Sequence, residues 1–261
     1  MIPPGRFPMA PDRQVTIRKP FQMAAHETTI AQFRAFVTDT GHRTDAEKSG
    51  MGVVKHVDGQ MEFGPQFTWQ NENIAGENDH PVGQLSWNDA DAFCRWLTRK
   101  EGRTYRLPSQ AEWEWACRAG SVTAYPFDGH QESLDDYAWH AGNSGDRSHP
   151  VGQKKPNPWG LHDMLGNMAE FCFDWEAPLP AGDAIDPTGP TSGDYRVIRS
   201  LGFFDNNPTA SSRGALSPGD SMNHLGFRVV CELPPINQAA LPPTYKNTIG
   251  MEFVIVPKGK S

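Results

Sequence analysis

Three stretches of the chain carry apolar residues at helical spacing behind a polar cap. Thr29 stands three residues before Gln32, and Ile30, Phe33, Phe36 and Val37 follow on one face, with Gly41 as the stop. Ser86, with Asp89 in its first turn, opens a second helix striped by Ala90, Phe93, Cys94 and Leu97 and closed by Gly102. Ser109 and Glu112 form another capping box ahead of Trp115 and Ala116, and Gly120 ends that helix. Elsewhere the pattern becomes short and extended. Val15 and Ile17 alternate with Gln14 and Thr16, which predicts a strand over 13–17. Residues 195–199 and 226–231 predict two more, the second apolar on both faces and therefore central. Between them, 202–225 is rich in Asn, Pro, Ser, Asp and Gly and predicts a surface loop. The stretch 157–175 combines glycine turns, aromatic anchors and oxygen donors and follows neither period. It predicts an irregular loop held by something other than a backbone ladder, a hard cation being one candidate.

Composition narrows the class. A chain of 261 residues with 37% hydrophobic and 21% charged positions can bury one large core or two small ones. Its 25 glycines and 23 prolines predict a loop-rich fold with short regular elements, and 8 tryptophans must supply much of the core area. The net charge of −7 is spread along the chain without a basic block, which excludes nucleic acid as an expected partner. No apolar run approaches the roughly 20 residues of a transmembrane segment. The first residues lack the pattern of a signal peptide, so a soluble, cytoplasmic chain is the default expectation. Cys94, Cys117, Cys172 and Cys231 form no C-x-x-C pair, so they predict buried free thiols rather than a zinc ribbon or a disulfide scaffold.

The tail divides from the rest. Four prolines mark 233–245 as a linker, 247–254 reads like the opening of a fresh module, and 255–260 echoes 1–6. The expected organisation is one domain over 1–232, then a Pro-rich linker and the start of a truncated second module over 233–261, with a tandem module as a neighbour. The alternative is that the tail supplies an edge strand to an abbreviated N-terminus.

Four ordered motifs carry a family resemblance over nearly all of 1–232. They are His-Pro-Val-Gly-Gln-Leu-Ser-Trp-Asn-Asp-Ala at 80–90, Tyr-Arg-Leu-Pro-Ser-Gln-Ala-Glu-Trp-Glu-Trp-Ala at 105–116, the 157–175 stretch, and Leu-Gly-Phe-Arg-Val-Val at 225–230. In this order they resemble the formylglycine-generating enzyme, or sulfatase-modifying factor, family. The resemblance implies a single α+β domain related to the C-type lectin fold, with little regular secondary structure. Its best-known members oxidise a sulfatase cysteine to formylglycine with molecular oxygen and copper held by two cysteines. Other relatives are iron-dependent sulfoxide synthases, kinase-fused domains or variable ligand-binding proteins.

This chain departs from that pattern where the chemistry lies. The family's paired cysteines follow a strand reading Arg-Gly-Gly-Ser-aromatic. Here the match is Arg199-Ser200-Leu201-Gly202-Phe203, and 204–210 holds no cysteine. Copper(I) selects soft thiolates, which Asp and Asn oxygens do not replace. The family's Gly-Asn-x-Trp-Glu-Trp has become Gly166-Asn167-Met168-Ala169-Glu170-Phe171. The resemblance also implies one calcium ion at Asp163, Gly166, Met168 and Glu170, through two carboxylates and two backbone carbonyls. The alternative there is structural: Asp163 caps a turn and Glu170 pairs with an arginine. A second calcium site near Asn143 and Ser144 offers only Asp146 as a carboxylate. In some relatives a disulfide joins the cysteines matching Cys94 and Cys231.

The histidines are weaker evidence. His140, His162 and His224 could form an iron site only through tertiary contact, and Ser200 lacks the strand–elbow–helix context of a nucleophile. The reading is therefore a family member that has lost copper oxidase chemistry. It would bind a peptide or small ligand in a groove lined by Phe203, Phe204, Asp205, Asn206, Asn207, Arg213 and His224, with no catalytic residue assigned. Arg228 is read as structural, tying the last strand to an acidic neighbour. The alternative is a metal-dependent oxidoreductase, formylglycine-generating or sulfoxide-synthase-like, with a divergent site.

Overall fold

A computed structural model describes residues 5–56, 58–71, 76–127, 134–233 and 244–254. Local capping decides the helices. Thr29, Thr44, Ser86 and Ser109 each close a reciprocal box with the third helical residue, opening α1 (Ile30–Thr40), α2 (Asp45–Ser49), α3 (Trp87–Glu101) and α4 (Gln110–Arg118). The short α5 (Leu134–Tyr137) completes the set described. The first three end on glycines in the left-handed region, whereas α4 ends one residue before its expected stop, on Ala119 at φ 48°.

The strands are short and form four small sheets. Strands β1 (Gly5–Ala10) and β2 (Arg13–Ile17) pair antiparallel, and β8 (Ala184–Ile185) joins β2 in parallel. A hairpin of β4 (Gly52–Lys55) and β5 (Met61–Gly64) stands apart. A four-stranded sheet runs in the order β10 (Arg213–Leu216), β9 (Arg196–Arg199), β7 (Ala169–Trp175), β11 (Leu225–Gly226). A five-stranded sheet runs β13 (Thr244–Lys246), β14 (Glu252–Val254), β3 (Phe21–Ala24), β12 (Val230–Glu232), β6 (Tyr105–Arg106).

Three expectations change here. The 157–175 stretch is not irregular throughout, because its last seven residues are β7, a central strand. Ala169 to Cys172 are buried in succession, so no alternation exposed the strand. The single strand expected over 226–231 is two strands in two sheets, β11 and β12, with Phe227, Arg228 and Val229 crossing between them. The loop expected over 202–225 contains β10, paired along its length with β9.

The tail packs on the same body. Phe253 and Val254 pair with Ala24 and Met23, and Phe253 and Met251 enter the core beside Tyr105. Residues 244–254 thus extend the edge beyond β3, whereas the echo between 1–6 and 255–260 and most of the proline-rich linker lie outside the described residues.

Two aromatic cores hold the layers. One gathers Phe33, Phe36, Trp69, Phe93, Trp96 and Phe227 between α1, α3 and the sheets. The other sets Phe7, Trp113 and Trp115 against Met164, Leu165 and Val197. The rings meet at offset or edge-on angles, as between Phe93 and Phe227 at 5.3 Å and 68°. Among the described residues no helix is long and apolar enough to cross a membrane.

Candidate functional site

The two segments nominated by the sequence are stapled together by backbone. Phe203 N donates to Asn167 O, Ala169 N to His224 O, and Ser200 Oγ to Gly166 O. Ser200 is fully buried by that bond, which removes it as a nucleophile. Ser200, Leu201 and Gly202 follow one another at φ 75°, 59° and 74°. Left-handed backbone at two successive non-glycine residues is strained and persists only where the surroundings impose it. Here Arg199 imposes it from one side, because it ion-pairs with Glu114 and donates to the carbonyls of Ser211, Ser212 and Gln110.

Rings pack beneath the surface of this region: Phe203 and His224, expected to line the groove, are buried, and Phe204 is part-exposed. Phe204 lies 5.2 Å from His224 and 4.4 Å from Phe203, and the Lys55 ammonium stands 5.7 Å over the Phe204 ring. Asn223 clamps the Lys55 backbone from both sides, accepting from its N at 2.9 Å and donating to its O at 3.1 Å. That ties the β4–β5 hairpin to the loop, a partnership between residues far apart in sequence that no local pattern announces. Tyr125 Oη donates to Asn207 Oδ1 at 2.7 Å, and Asp205 Oδ1 accepts from Asn207 N. Asn206 and Asn207 are exposed, whereas Phe203 is buried and supports the loop from beneath. Arg213 lies at the start of β10 and pairs with Glu176, so its guanidinium is already engaged.

Burial, with Lys55 adding to it, pushes the His224 imidazole down to about 4 from 6.5. It is neutral at physiological pH. A histidine depressed in the folded state contributes stability that is full above pH 6.5 and is lost as pH falls towards 4. Across that window the wild type is expected to lose about 3 kcal/mol more than His224→Gln. Thermal midpoints of both proteins from pH 7.5 to 4.5 check this, and parallel curves would refute it.

Beneath the loop lies a buried charge cluster. Arg228, fully buried, grips Glu170 through Nε to Oε2 and Nη2 to Oε1, both at 2.7 Å, and Trp113 Nε1 donates to the same Oε2 at 2.7 Å. Arg228 therefore ties the chain to an acidic neighbour, as expected. Glu27 and Asp163 complete the cluster, and burial pushes both their carboxyls up, with mutual repulsion adding to it at Glu27. Asp163 Oδ2 accepts from Gly152 N, but Asp163 Oδ1 and Glu27 Oε2 are buried with no partner.

The other nominated metal ligands do not converge. His140 bonds to Asp135 and His162 to the Lys154 carbonyl, while Asn143 and Ser144 bond to the backbone at Ala138 and Phe203. Among the described residues no group of three His, Cys, Asp or Glu is placed to hold a metal. All four cysteines are free and buried, including Cys94 and Cys231, so the bridge implied by the resemblance is not formed. Desolvation drives the thiols up, to about 12 at Cys117 and about 11 at Cys231, which leaves them protonated.

The order of the motifs and the fold that carries them define a formylglycine-generating-enzyme-type domain. The family model for the sulfatase-modifying factor enzyme 1-like domain matches residues 1–233, and the chain belongs to that family. It is 32% identical over 254 residues to a formylglycine-generating enzyme of Streptomyces coelicolor, covering 82% of this chain and 79% of that protein. It is 28% identical over 265 residues to the inactive C-alpha-formylglycine-generating enzyme 2 of Mus musculus, covering 87% and 79%. Among solved structures, PvdO from Pseudomonas aeruginosa superposes with a TM-score of 0.70 at 25% identity, covering 88% of this chain and 92% of that one.

Proposed function

We propose that this domain binds a peptide or small ligand at the ring-lined surface of loop 202–225 and does not carry out thiolate–copper oxidation. The observation that carries the reading is the ligand inventory: 200–225 contains no cysteine, and all four thiols are buried within the two cores and their strands. A soft, redox-active ion needs thiolates at the place where substrate arrives, and oxygen and amide donors do not supply that softness. Phe204 offers a part-exposed apolar face backed by the buried His224, while Asp205, Asn206 and Asn207 offer donors and acceptors beside it. Similarity to an inactive paralogue supports the reading, since the scaffold and the activity separate within the family.

Calcium belongs to the same proposal as a scaffold ion. The donor set suits it in part: Asp163 Oδ1 is a buried oxygen without a partner, and Gly166 and Met168 would add carbonyls. Glu170 has three hydrogen bonds from Arg228 and Trp113, which leaves one lone pair on Oε1 for an ion. When bound, calcium would neutralise carboxylate charge that Arg228 alone does not balance.

One experiment tests both parts. Purified full-length protein is expected to contain calcium and no stoichiometric copper, to lose several degrees of thermal midpoint in a calcium chelator, and to consume no oxygen with a cysteine-containing sulfatase peptide plus copper(I). Copper-dependent oxygen uptake would overturn the binding reading in favour of a divergent oxidoreductase. An unchanged midpoint in chelator would remove calcium alone.

A further inference from the structure

The β4–β5 hairpin has two edges, and only one of them is closed. In an antiparallel pair, opposite residues alternate between exchanging backbone hydrogen bonds and turning those groups outward. The partners of β4 show which are outward. Val53 O accepts from Gln84 Nε2 at 2.9 Å, and Lys55 N and O are both held by the Asn223 side chain. Val53 stands opposite Phe63 and Lys55 opposite Met61, so the N–H and C=O groups of Met61 and Phe63 turn away from β4 on the other side. His56 N, which donates to Gln60 O at 2.9 Å, continues the inward alternation. Among the described residues no strand pairs with the outer side of β5. Met61 and Phe63 are 48% and 55% exposed, and the Glu62 side chain between them is 58% exposed.

Proteins ordinarily blunt an exposed apolar edge with charge, proline or a covering segment. Here one carboxylate interrupts it, and that carboxylate selects the occupant. A second copy of this chain, paired antiparallel in the register that uses all the outward groups, would set Glu62 directly against the same residue, and like charges across a strand pair repel. A cation at that position is attracted instead, and the net charge of −7 draws a basic segment from a distance. Glu62 lies 3.4 Å from His56, but both side chains are half exposed and that contact holds neither firmly. We propose that β5 takes up an extended peptide segment as a third strand, with apolar residues opposite Met61 and Phe63 and a lysine or arginine opposite Glu62. Backbone bonds to Met61 and Phe63 supply the strand geometry, and Glu62 supplies the selection.

The edge lies on the side of the hairpin away from Asn223, so the inference does not rest on ligand binding at loop 202–225. The probe is the blocked peptide acetyl-Thr-Val-Lys-Val-Thr-amide, titrated into the full-length protein and followed by amide NMR. Saturable shifts are expected at Met61, Glu62 and Phe63, and exchange of the Met61 and Phe63 amides should slow about tenfold or more at saturation. Methylating both valine nitrogens of the peptide removes the donors that face β5 and should weaken binding about tenfold or more, whereas methylating the lysine nitrogen, which points away, should cost far less. Replacing the peptide lysine by glutamate should weaken binding about fivefold, and the exposed substitution Glu62→Lys should reverse that preference. The proposal is overturned if the peptide does not saturate, if the doubly methylated peptide binds as tightly, or if the lysine and glutamate peptides bind alike. It is equally overturned if the shifts fall on loop 202–225 instead of β5, or if the protein alone sediments as a dimer in which the Met61 and Phe63 amides are already protected.

Discussion

Arg228→Met is expected to destabilise the domain by about 3–5 kcal/mol, the cost of leaving one partner of a buried ion pair alone. For a chain of this size that lowers the thermal midpoint by roughly 10 °C or more. The effect should lie at the top of this range, because Arg228 faces Glu27 and Asp163 as well as Glu170, and none of the three is exposed by more than 1%. Arg228 also bonds to the carbonyls of Ala24, His162 and Asp163, so its loss unties β3 and the 160s loop together. The double variant Arg228→Met/Glu170→Gln should recover part of the loss, because removing charge from both ends is far cheaper than removing one. Denaturant unfolding of the single and double variants measures the coupling. Simple additivity would mean that the cluster is not energetically connected.

Glu114→Ala is expected to cost a similar 3–5 kcal/mol and to disturb the candidate site as well. One carboxylate there serves two buried arginines: Arg118 at 2.8 Å within α4, and Arg199 at the end of β9. Truncating it leaves two unpaired cations in a core that includes Trp113, over whose ring Arg199 lies at 5.5 Å. Arg199 immediately precedes the left-handed run at Ser200 and Leu201, and without its anchor that strained backbone is expected to relax. Hydrogen exchange should then rise at the amides of Phe203 and Ala169, which bond across the site to Asn167 and His224. Global loss of stability with unchanged local protection at those amides would separate Glu114 from the loop and refute the second half of the expectation.

The strained run also gives physical content to the family pattern. A strand reading Arg-Gly-Gly-Ser would place glycines at the two left-handed positions that Ser200 and Leu201 occupy here, and only glycine takes φ above zero without cost. In this chain Ser200 offsets part of that cost with its bond to Gly166 O, and Leu201 packs against the core.

The sequence alone determined what is local. Four of the five described helices start on a hydrogen-bonded pair three residues apart, and Thr29, Ser86 and Ser109 announce three of them without help from the rest of the chain. The missing cysteine pair is likewise a matter of inventory, and folding cannot add donors that loop 202–225 does not contain. Tertiary structure decided everything that depends on distant partners. β7 escaped notice because burial on both faces erases alternation, and β11 and β12 were separated by the turn that sends Arg228 inward to Glu170. The same non-local packing joined Asn223 to Lys55 and drew residues 244–254 onto β3. Such contacts arise from which surfaces must be buried together, and that is a property of the assembled core rather than of any window along the chain.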